Sequence, residues 1–214
     1  MADQFEKMDK MYRHQRYFYD LTRKYYLLGR DRMLREISVK DGANILEIGC
    51  GTGRNLIILA EKYPQARFYG LDASAEMLKT ARAKIKTRNL ENITLVNALA
   101  DDFSHAETFD LREKFDAIFF SYSITMIPPW RAAIENALRN LKSGKSFYIV
   151  DFYDQKDLPV WFQKILQKWL EQFHVVYPQE LLPFLKDLEA RGLGKLTVKN
   201  LYRRYSILAE FKKI

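Results

Sequence analysis

Three glycines at alternate positions, Gly49, Gly51 and Gly53, follow a short apolar run that begins at Asn44. Glycine adopts backbone conformations closed to other residues, and bare backbone amides at a helix start can approach a polar ligand closely. Glu47 precedes the first glycine by two residues, so the motif reads E-x-G-x-G-x-G. This spacing differs from the G-x-G-x-x-G pattern of nicotinamide-dinucleotide sites. It predicts a ligand-binding turn of another kind, with a purely structural turn as the competing interpretation.

Strands that alternate with helices must position these residues. Apolar runs, each followed by a helical pattern, predict βαβ units and a parallel, doubly wound sheet. Ligands of such sheets bind at the carboxyl ends of the strands. Asp72 ends the second strand and Ser121 ends the fourth, so both reach this edge. The predicted strands are "NILEI", "ARFYGLD", "ITLVN", "FDAIFFSYS" and, after Gly144, "SFYIVDFYD". One helix is predicted to begin near Arg54, a second to follow Asp72 and run to about Lys86, and a third to run from about Pro129 to Leu141.

The opening segment, "MYRHQRYFYDLTRKYYLLGRD", mixes tyrosines with cations. On a helical wheel it separates into an apolar, aromatic side and a basic side, which predicts an amphipathic helix. Such a helix can lie in a membrane interface or pack on the sheet with its cations solvated, and both can hold at once. The apolar side comprises Met8, Met11, Gln15, Phe18, Tyr19, Thr22, Tyr25 and Tyr26, and the basic side comprises Lys10, Arg13, Arg16, Arg23 and Lys24.

The charge of the chain is concentrated at its ends. The net charge of +8 over 214 residues divides into +3 for residues 1–36, zero for residues 37–141 and +5 for residues 142–214. Ends that fold to one side would form a basic patch suited to an anionic surface. No signal peptide or membrane-spanning run is evident, so we expect a cytoplasmic protein held peripherally at the inner face of the membrane.

Several other patterns are weaker. The three histidines and single cysteine have no ligand spacing, so no metal site is expected. The segment "IPPW" resembles a base-amine methylation motif but begins with Ile127 where a polar residue is needed, so we interpret Pro128 and Pro129 as a helix start and expect no nucleic-acid substrate. A second amphipathic stretch, "WFQKILQKWLEQF", follows the fifth strand and is either core or a substrate cover.

The glycine loop and Asp72 resemble those of the class I S-adenosylmethionine-dependent methyltransferases. The resemblance implies a Rossmann-like α/β fold with a mostly parallel seven-stranded sheet, and S-adenosyl-L-methionine as cofactor. Asp72 would accept hydrogen bonds from the ribose hydroxyls, and Arg30 would pair with the carboxylate of the cofactor or the substrate. The adenine would be held by backbone groups of Leu99 and Ala100 or, in a shifted register, by Asp101. The implied cofactor residues are Arg30, Glu47, Gly49, Cys50, Gly51, Gly53, Asp72, Ala73, Leu99, Ala100 and Ser121, with Cys50 as a packing residue rather than a nucleophile.

Family-level segments extend the resemblance over nearly the whole chain. The opening segment, "LEIGCGTGRNL", "SYSITMIPPW" and "QFHVVYP" are similar to the bacterial betaine-lipid N-methyltransferases, which methylate the amine of diacylglycerylhomoserine three times. The resemblance implies an amine-bearing glycerolipid substrate and an anionic membrane surface as partners. Phosphatidylethanolamine N-methyltransferases and soluble small-molecule methyltransferases remain alternatives. Aromatic faces would hold the cationic amine, and the candidate catalytic residues are Tyr19, Tyr25, Tyr122 and His174.

Two regions follow from this interpretation. Residues 1–36 are expected to form an N-terminal amphipathic helical cover, and residues 37–214 the methyltransferase domain. A helical insertion on the substrate side is expected near residues 156–190, where the second amphipathic stretch lies.

Overall fold

The computed structural model describes residues 26–171 and 177–214. Within these residues, strands and helices alternate, as predicted. The strands are β1 (Asn44–Ile48), β2 (Arg67–Asp72), β3 (Ile93–Asn97), β4 (Phe115–Ser121), β5 (Leu141–Phe152), β6 (Gly194–Leu201) and β7 (Ser206–Lys213). The helices are α1 (Arg30–Glu36), α2 (Arg54–Lys62), α3 (Ala75–Thr87), α4 (Trp130–Asn140), α5 (Val160–Glu171) and α6 (Leu181–Ala190), with a 3₁₀ turn at Ile124–Met126.

All seven strands form one sheet in the order β3-β2-β1-β4-β5-β7-β6. Strands β1 to β5 run parallel to one another, and β7 is antiparallel to both β5 and β6. This confirms the predicted Rossmann-like, mostly parallel sheet. The strand order reverses between β1 and β4, because β2 and β3 lie on one side of β1 and the later strands on the other. Such a reversal creates a crevice above the carboxyl ends of β1 and β4.

The sheet is covered on both faces by helices. One apolar core lies under α1, α2, α3 and α5, where Met33, Leu56 and Leu166 meet inward side chains such as Phe119. The other lies under α4 and α6 and contains Phe147, Phe211 and Leu185. Because both faces are buried, the central strands are continuous apolar runs rather than alternating ones. The polar side chains at strand ends are therefore exceptions that need an explanation.

The fifth strand begins earlier than the sequence suggested. We expected it after Gly144, but β5 starts at Leu141, which is fully buried and pairs with Phe115. The register shifts between Phe115 and Ala117, and Gly144 has a φ of 74°. The glycine thus absorbs an irregularity inside the strand instead of ending a turn before it. Helix α4 begins at Trp130 with Pro129 as its N-cap, which confirms the predicted helix start.

The chain enters the described region across the carboxyl edge of the sheet. The hydroxyl of Tyr122 donates to the Leu28 carbonyl at 2.5 Å, and that of Tyr205 donates to the Tyr26 carbonyl at 2.8 Å. Gly29 has a φ of 94°, and a Cβ there would lie 2.7 Å from Leu201 Cδ1. These contacts fix residues 26–29 over β4, β6 and β7. Of the expected cover at residues 1–36, only the part from Tyr26 lies inside the described residues.

The region expected as an insertion contains α5 and α6. The apolar stripe predicted for α5 divides into two faces. Leu166 and Leu170 are buried in the first core, whereas Trp161 and Ile165 are exposed by 66% and 61%. Neither helix is a membrane span, since no helix among the described residues is long and apolar enough to cross a bilayer.

Candidate functional site

The glycine loop forms a tight turn between β1 and α2. The N–H groups of Gly49 and Cys50 both donate to the Leu71 carbonyl, at 2.8 and 3.0 Å. Gly49 has a φ of 73°, and a Cβ there would lie 2.5 Å from the Cβ of Ser123. Since neither the conformation nor the space admits a side chain, the loop presents bare backbone at the crevice.

Asp72 couples the loop to the end of β2. Its Oδ2 accepts from the Gly51 N–H at 2.7 Å, and its Oδ1 accepts from the Ser74 N–H at 2.9 Å. The side chain is buried, and the half-buried Ala73 follows it. An ionised carboxylate offers about four acceptor positions, so Asp72 can order the loop and also accept from a ligand's hydroxyls.

Glu47 and Cys50 lie beneath the same turn. Glu47 is 1% exposed, and its Oε1 accepts from Asn55 Nδ2 on α2 at 2.7 Å. Burial raises the pKa of the Cys50 thiol well above its usual value, and the charges of Asp72 and Glu47 raise it further. The thiol therefore stays protonated and unreactive.

Two serines line the end of β4. Ser123 donates its hydroxyl to the Ile48 carbonyl at 2.8 Å and closes the crevice against Gly49. The Ser121 hydroxyl is buried and has no hydrogen-bond partner among the described residues. A buried hydroxyl without a partner is costly, which makes Ser121 a candidate to contact a ligand in the crevice.

The predicted adenine-binding segment forms a turn after β3. The Leu99 carbonyl accepts from the Asp102 N–H at 3.3 Å, and the Ala100 carbonyl accepts from Asn136 Nδ2 at 3.3 Å. Asp101 is half-buried beside them. Both carbonyls thus help to hold the turn, and the choice between the backbone and Asp101 as adenine contact stays a prediction.

Arg30 and Tyr122 lie under the segment at residues 26–29. Arg30 is buried, and its Nε donates to the Leu27 carbonyl at 3.3 Å. Burial raises the pKa of Tyr122 well above its usual value, so its hydroxyl stays protonated and donates to Leu28. In this arrangement the Tyr122 ring packs edge-on against Phe152, with ring centroids 4.8 Å apart. Tyr19, Tyr25 and His174 lie outside the described residues.

Asp151 is a residue that the sequence reasoning missed. It is fully buried at the end of β5 and accepts from the Thr125 N–H at 3.2 Å and the Phe152 N–H at 2.8 Å. Burial raises its pKa to about 7, against the opposing effect of these backbone donors. It joins β5 to the 3₁₀ turn that follows Ser123. The available signal was the one used for Asp72, a carboxylate that ends an apolar strand.

These features suit a nucleoside-bearing cofactor. The tight turn at Gly49, the carboxylate of Asp72 and the orphaned hydroxyl of Ser121 lie at the same edge of the sheet, and a carboxylate in this position suits ribose hydroxyls. Together with the sheet order, they define a class I S-adenosylmethionine-dependent methyltransferase. Residues 39–202 match the protein family described as "Methyltransferase domain", and the chain belongs to that family.

Curated relatives agree with this class. Demethylmenaquinone methyltransferase of Listeria welshimeri is 28% identical over 141 residues, which are 65% of this chain and 57% of the relative. The corresponding enzyme of Geobacillus stearothermophilus is 29% identical over 120 residues, 56% of this chain and 49% of the relative. The matched region thus spans about half the length of these relatives.

Solved structures share the fold. A SAM-dependent methyltransferase from Aquifex aeolicus superposes with a TM-score of 0.63 at 17% identity, covering 100% of this chain and 99% of that chain. At these identities the likeness concerns the fold alone. S-adenosyl-L-methionine is the methyl donor of this class, and the residues described above fit it.

Proposed function

We propose that this methyltransferase transfers methyl groups to the amine of a membrane lipid head group, and that its substrate is diacylglycerylhomoserine, converted stepwise to the trimethylated betaine lipid. The observation that carries the proposal is a pair of recesses that both border α5, a cavity lined by polar and apolar side chains and an apolar groove. The cavity, of about 570 Å³, includes Tyr153, Gln155 and Tyr177. The groove, of about 400 Å³, includes Phe162, Trp169 and Tyr205.

The two recesses suit the two halves of an amphiphile. The groove is lined by aromatic and aliphatic side chains of the 26–28 segment, α5 and the β6–β7 hairpin. Apolar walls of this kind stabilise a hydrocarbon chain by removing it from water. The cavity beyond Leu170 carries hydroxyl, amide and carboxylate groups, which suit a head group.

The outer face of α5 supports a membrane partner. Trp161 and Ile165 project from it, with Lys164 and Lys168 exposed beside them. Apolar and aromatic side chains flanked by cations are typical of helices that bind anionic lipid surfaces. The net charge of +8 favours the same partner.

The reaction needs little from the protein beyond positioning and the exclusion of water. The cofactor supplies a methyl group on a sulfonium. Before each transfer the substrate ammonium would lose a proton to water or a nearby base. The lone pair of the free amine would then form the new C–N bond as the C–S bond breaks toward sulfur, and the third transfer would leave a quaternary ammonium with no proton to release. The loop at Gly49, Asp72 and Ser121 would hold the donor, and Tyr19, Tyr25, Tyr122 and His174 are the proposed substrate-side residues.

A second candidate comes from the relatives' name. Demethylmenaquinone methyltransferases are about 28% identical to this chain, and a quinone would also fit an apolar groove. Phosphatidylethanolamine is the alternative amine lipid, and a soluble small molecule is the alternative without a membrane.

Assays with purified protein, labelled S-adenosylmethionine and mixed micelles test the proposal. Diacylglycerylhomoserine, phosphatidylethanolamine and demethylmenaquinone are offered separately, and products are identified by mass spectrometry. We expect up to three methyl groups on the homoserine lipid. Transfer only to phosphatidylethanolamine or only to the quinone would replace the proposed substrate, and transfer to none of the lipids would reject the lipid proposal.

A further inference from the structure

The β6–β7 hairpin turns at the carboxyl edge of the sheet. Strand β5 runs toward that edge and β7 is antiparallel to β5, so β7 begins there and β6 ends there. Residues 202–205, "YRRY", connect the two strands and are called the hairpin turn below. Strands β4 and β5 separate the hairpin from β1 and its glycine loop. The hairpin turn therefore lies to one side of the cofactor crevice.

The backbone of the hairpin turn is strained at three consecutive residues. The φ angles of Tyr202, Arg203 and Arg204 are 51°, 55° and 60°. Side chains with a Cβ disfavour these left-handed values, and glycine and asparagine are the usual residues at such positions. A tyrosine and two arginines are thus poor choices if the segment only reverses the chain. Strain that the surrounding structure maintains is found at functional sites, so these side chains are candidates for a function.

The rest of the protein holds the hairpin turn in one place. The Tyr205 N–H donates to the Tyr202 carbonyl at 3.1 Å, and the Gln155 N–H donates to the Arg204 carbonyl at 3.0 Å. The Arg204 Nε donates to Asp154 Oδ1 at 2.7 Å. Arg204 therefore fixes the turn to the chain that follows β5, and its charge is matched by a carboxylate of the protein.

The other two side chains of the strained segment face outward. Tyr202 is 54% exposed and lines one side of the apolar groove. Arg203 is exposed, and no described residue forms an ion pair with it. The hairpin turn thus places an aromatic ring at the edge of the groove and an unmatched cation next to that ring.

Helix α5 forms the opposite side of the groove with the same kinds of residue. Phe162 and Trp169 line the groove from α5. Trp169 lies one helical turn after Ile165, which is 61% exposed, so the exposed apolar stripe of α5 borders the groove. Lys164 and Lys168 are exposed on the same helix, and no described residue forms an ion pair with either. Aromatic side chains and cations therefore flank the groove on both sides.

The charge beside the groove favours an anionic partner. Lys164, Lys168 and Arg203 outnumber Asp157, the exposed carboxylate on the chain between β5 and α5. A guanidinium can bind a phosphate through two parallel hydrogen bonds. Tyrosine suits the head-group level of a bilayer, where its ring meets apolar chains and its hydroxyl meets water.

We infer that the hairpin turn is a second membrane contact, in which Arg203 binds the phosphate of an anionic phospholipid and Tyr202 enters the head-group layer. The inference rests on the proposed function and specifies its membrane partner. With the turn on one side and the exposed stripe of α5 on the other, the groove between them opens toward the bilayer. A lipid chain enters it without crossing water.

Replacement of Arg203 by asparagine separates membrane binding from folding. Asparagine accepts a left-handed backbone more readily than arginine, so Arg203→Asn should unfold at the same temperature as the unmodified protein or a higher one. Its affinity for mixed phosphatidylcholine–phosphatidylglycerol vesicles should fall about fivefold, the contribution expected of one cation near an anionic surface. Vesicle sedimentation and thermal unfolding measure the two effects. Binding to vesicles of phosphatidylcholine alone should not change.

Lys195→Asn is the matched control. Lys195 is exposed near the start of β6, seven residues before Tyr202, which is roughly 23 Å along the strand. The substitution removes the same charge from the opposite end of the same hairpin. It should leave vesicle affinity within twofold of that of the unmodified protein.

The outcomes distinguish this inference from the proposed function. Equal losses of vesicle affinity in Arg203→Asn and Lys195→Asn, or no loss in Arg203→Asn, overturn the contact at the hairpin turn. A lower unfolding temperature in Arg203→Asn overturns the strain argument that supports it, and no vesicle binding by the unmodified protein overturns the membrane contact itself. Assays in mixed micelles decide the substrate separately. Vesicle binding that depends on Arg203 supports the contact even if those assays reject the homoserine lipid.

Discussion

Two aspartates at strand ends illustrate how surroundings decide what a carboxylate does. Asp72 accepts two backbone N–H groups beside a glycine turn and faces the crevice. Asp151 ends β5 in a fully buried position, and burial raises its pKa to about 7. The first stays a predicted ligand contact. The second holds the 3₁₀ turn at Thr125 against the sheet.

Asp151 makes stability depend on pH. In the unfolded chain its pKa is near 3.8, whereas the folded value is about 7. The folded state therefore holds the proton more tightly, and the free energy of unfolding falls as pH rises from about 4 to about 7, by roughly 4 kcal/mol from this group. In Asp151→Asn this contribution is absent. Urea unfolding at several pH values between 5 and 8 should show a flatter pH profile for the variant.

A carboxylate with the opposite shift is the control. Burial acts to raise the pKa of Asp116, but the Asn44 N–H and Lys142 lower it overall. Its stabilisation is present above its unfolded pKa and is lost on acidification. Asp116→Asn should therefore leave the profile between pH 5 and 8 unchanged. Parallel profiles for the unmodified protein and Asp151→Asn would show that Asp151 does not titrate in this range.

At the scale of elements, the glycine loop that connects β1 to α2 packs against the end of β4. Gly49 packs on Ser123, which in turn bonds the Ile48 carbonyl. The 3₁₀ turn after Ser123 is held by Asp151 on β5. Three parallel strands are thus linked at their carboxyl ends, and the geometry of the loop depends on all of them.

Two glycines with the same backbone angle separate the effects of conformation and space. Gly49 and Gly144 have φ values of 73° and 74°, but a Cβ would contact Ser123 only in the first case and nothing within 4 Å in the second. Alanine at either position should destabilise the fold by about 1 kcal/mol through its left-handed backbone, and Gly49→Ala should cost more because its Cβ would overlap Ser123. Gly49→Ala should in addition weaken S-adenosylmethionine binding at least tenfold in calorimetry. Equal cofactor affinities in the two variants would contradict the assigned loop.

At the scale of the whole molecule, α5 borders both the cavity beside Gln155 and the apolar groove, and its outer face carries exposed apolar side chains. The inner side of α5 seals the first core through Leu166 and Leu170, while its outer side exposes Trp161 and Ile165. Under the proposed function, a lipid that leaves the bilayer beside this outer face would reach the groove at Phe162 and Trp169 by crossing one helix.

Removing the outer face should reduce membrane binding. In Trp161→Ser/Ile165→Ser, the loss of two large apolar side chains should lower affinity for anionic vesicles at least tenfold, since each buried side chain contributes about 1.5–3 kcal/mol. Binding of the unmodified protein should weaken with salt because lysines flank the stripe. Vesicle sedimentation measures both effects. Leu193→Ser/Val198→Ser removes apolar side chains that are 39% and 37% exposed elsewhere and should bind as the unmodified protein does. No binding by the unmodified protein would reject the membrane partner.

The sequence by itself determined the strand–helix alternation, the glycine turn and the carboxylate at Asp72, because these depend on local patterns of apolar residues and on backbone requirements of glycine. It also predicted the start of α4. It misjudged the start of β5, since a glycine inside a strand and a glycine in a turn have the same local signature.

Only the tertiary structure decided which polar groups at the strand ends are satisfied and which are not. Asp151 acquires its raised pKa, and Gln155 and Ser121 their unmatched polar atoms, from burial by residues distant in the chain. The stripe on α5 was one pattern in the sequence, and packing divided it into a buried side and an exposed side. Burial and hydrogen-bond partners are properties of the packed sheet and helices, so no local pattern contains them.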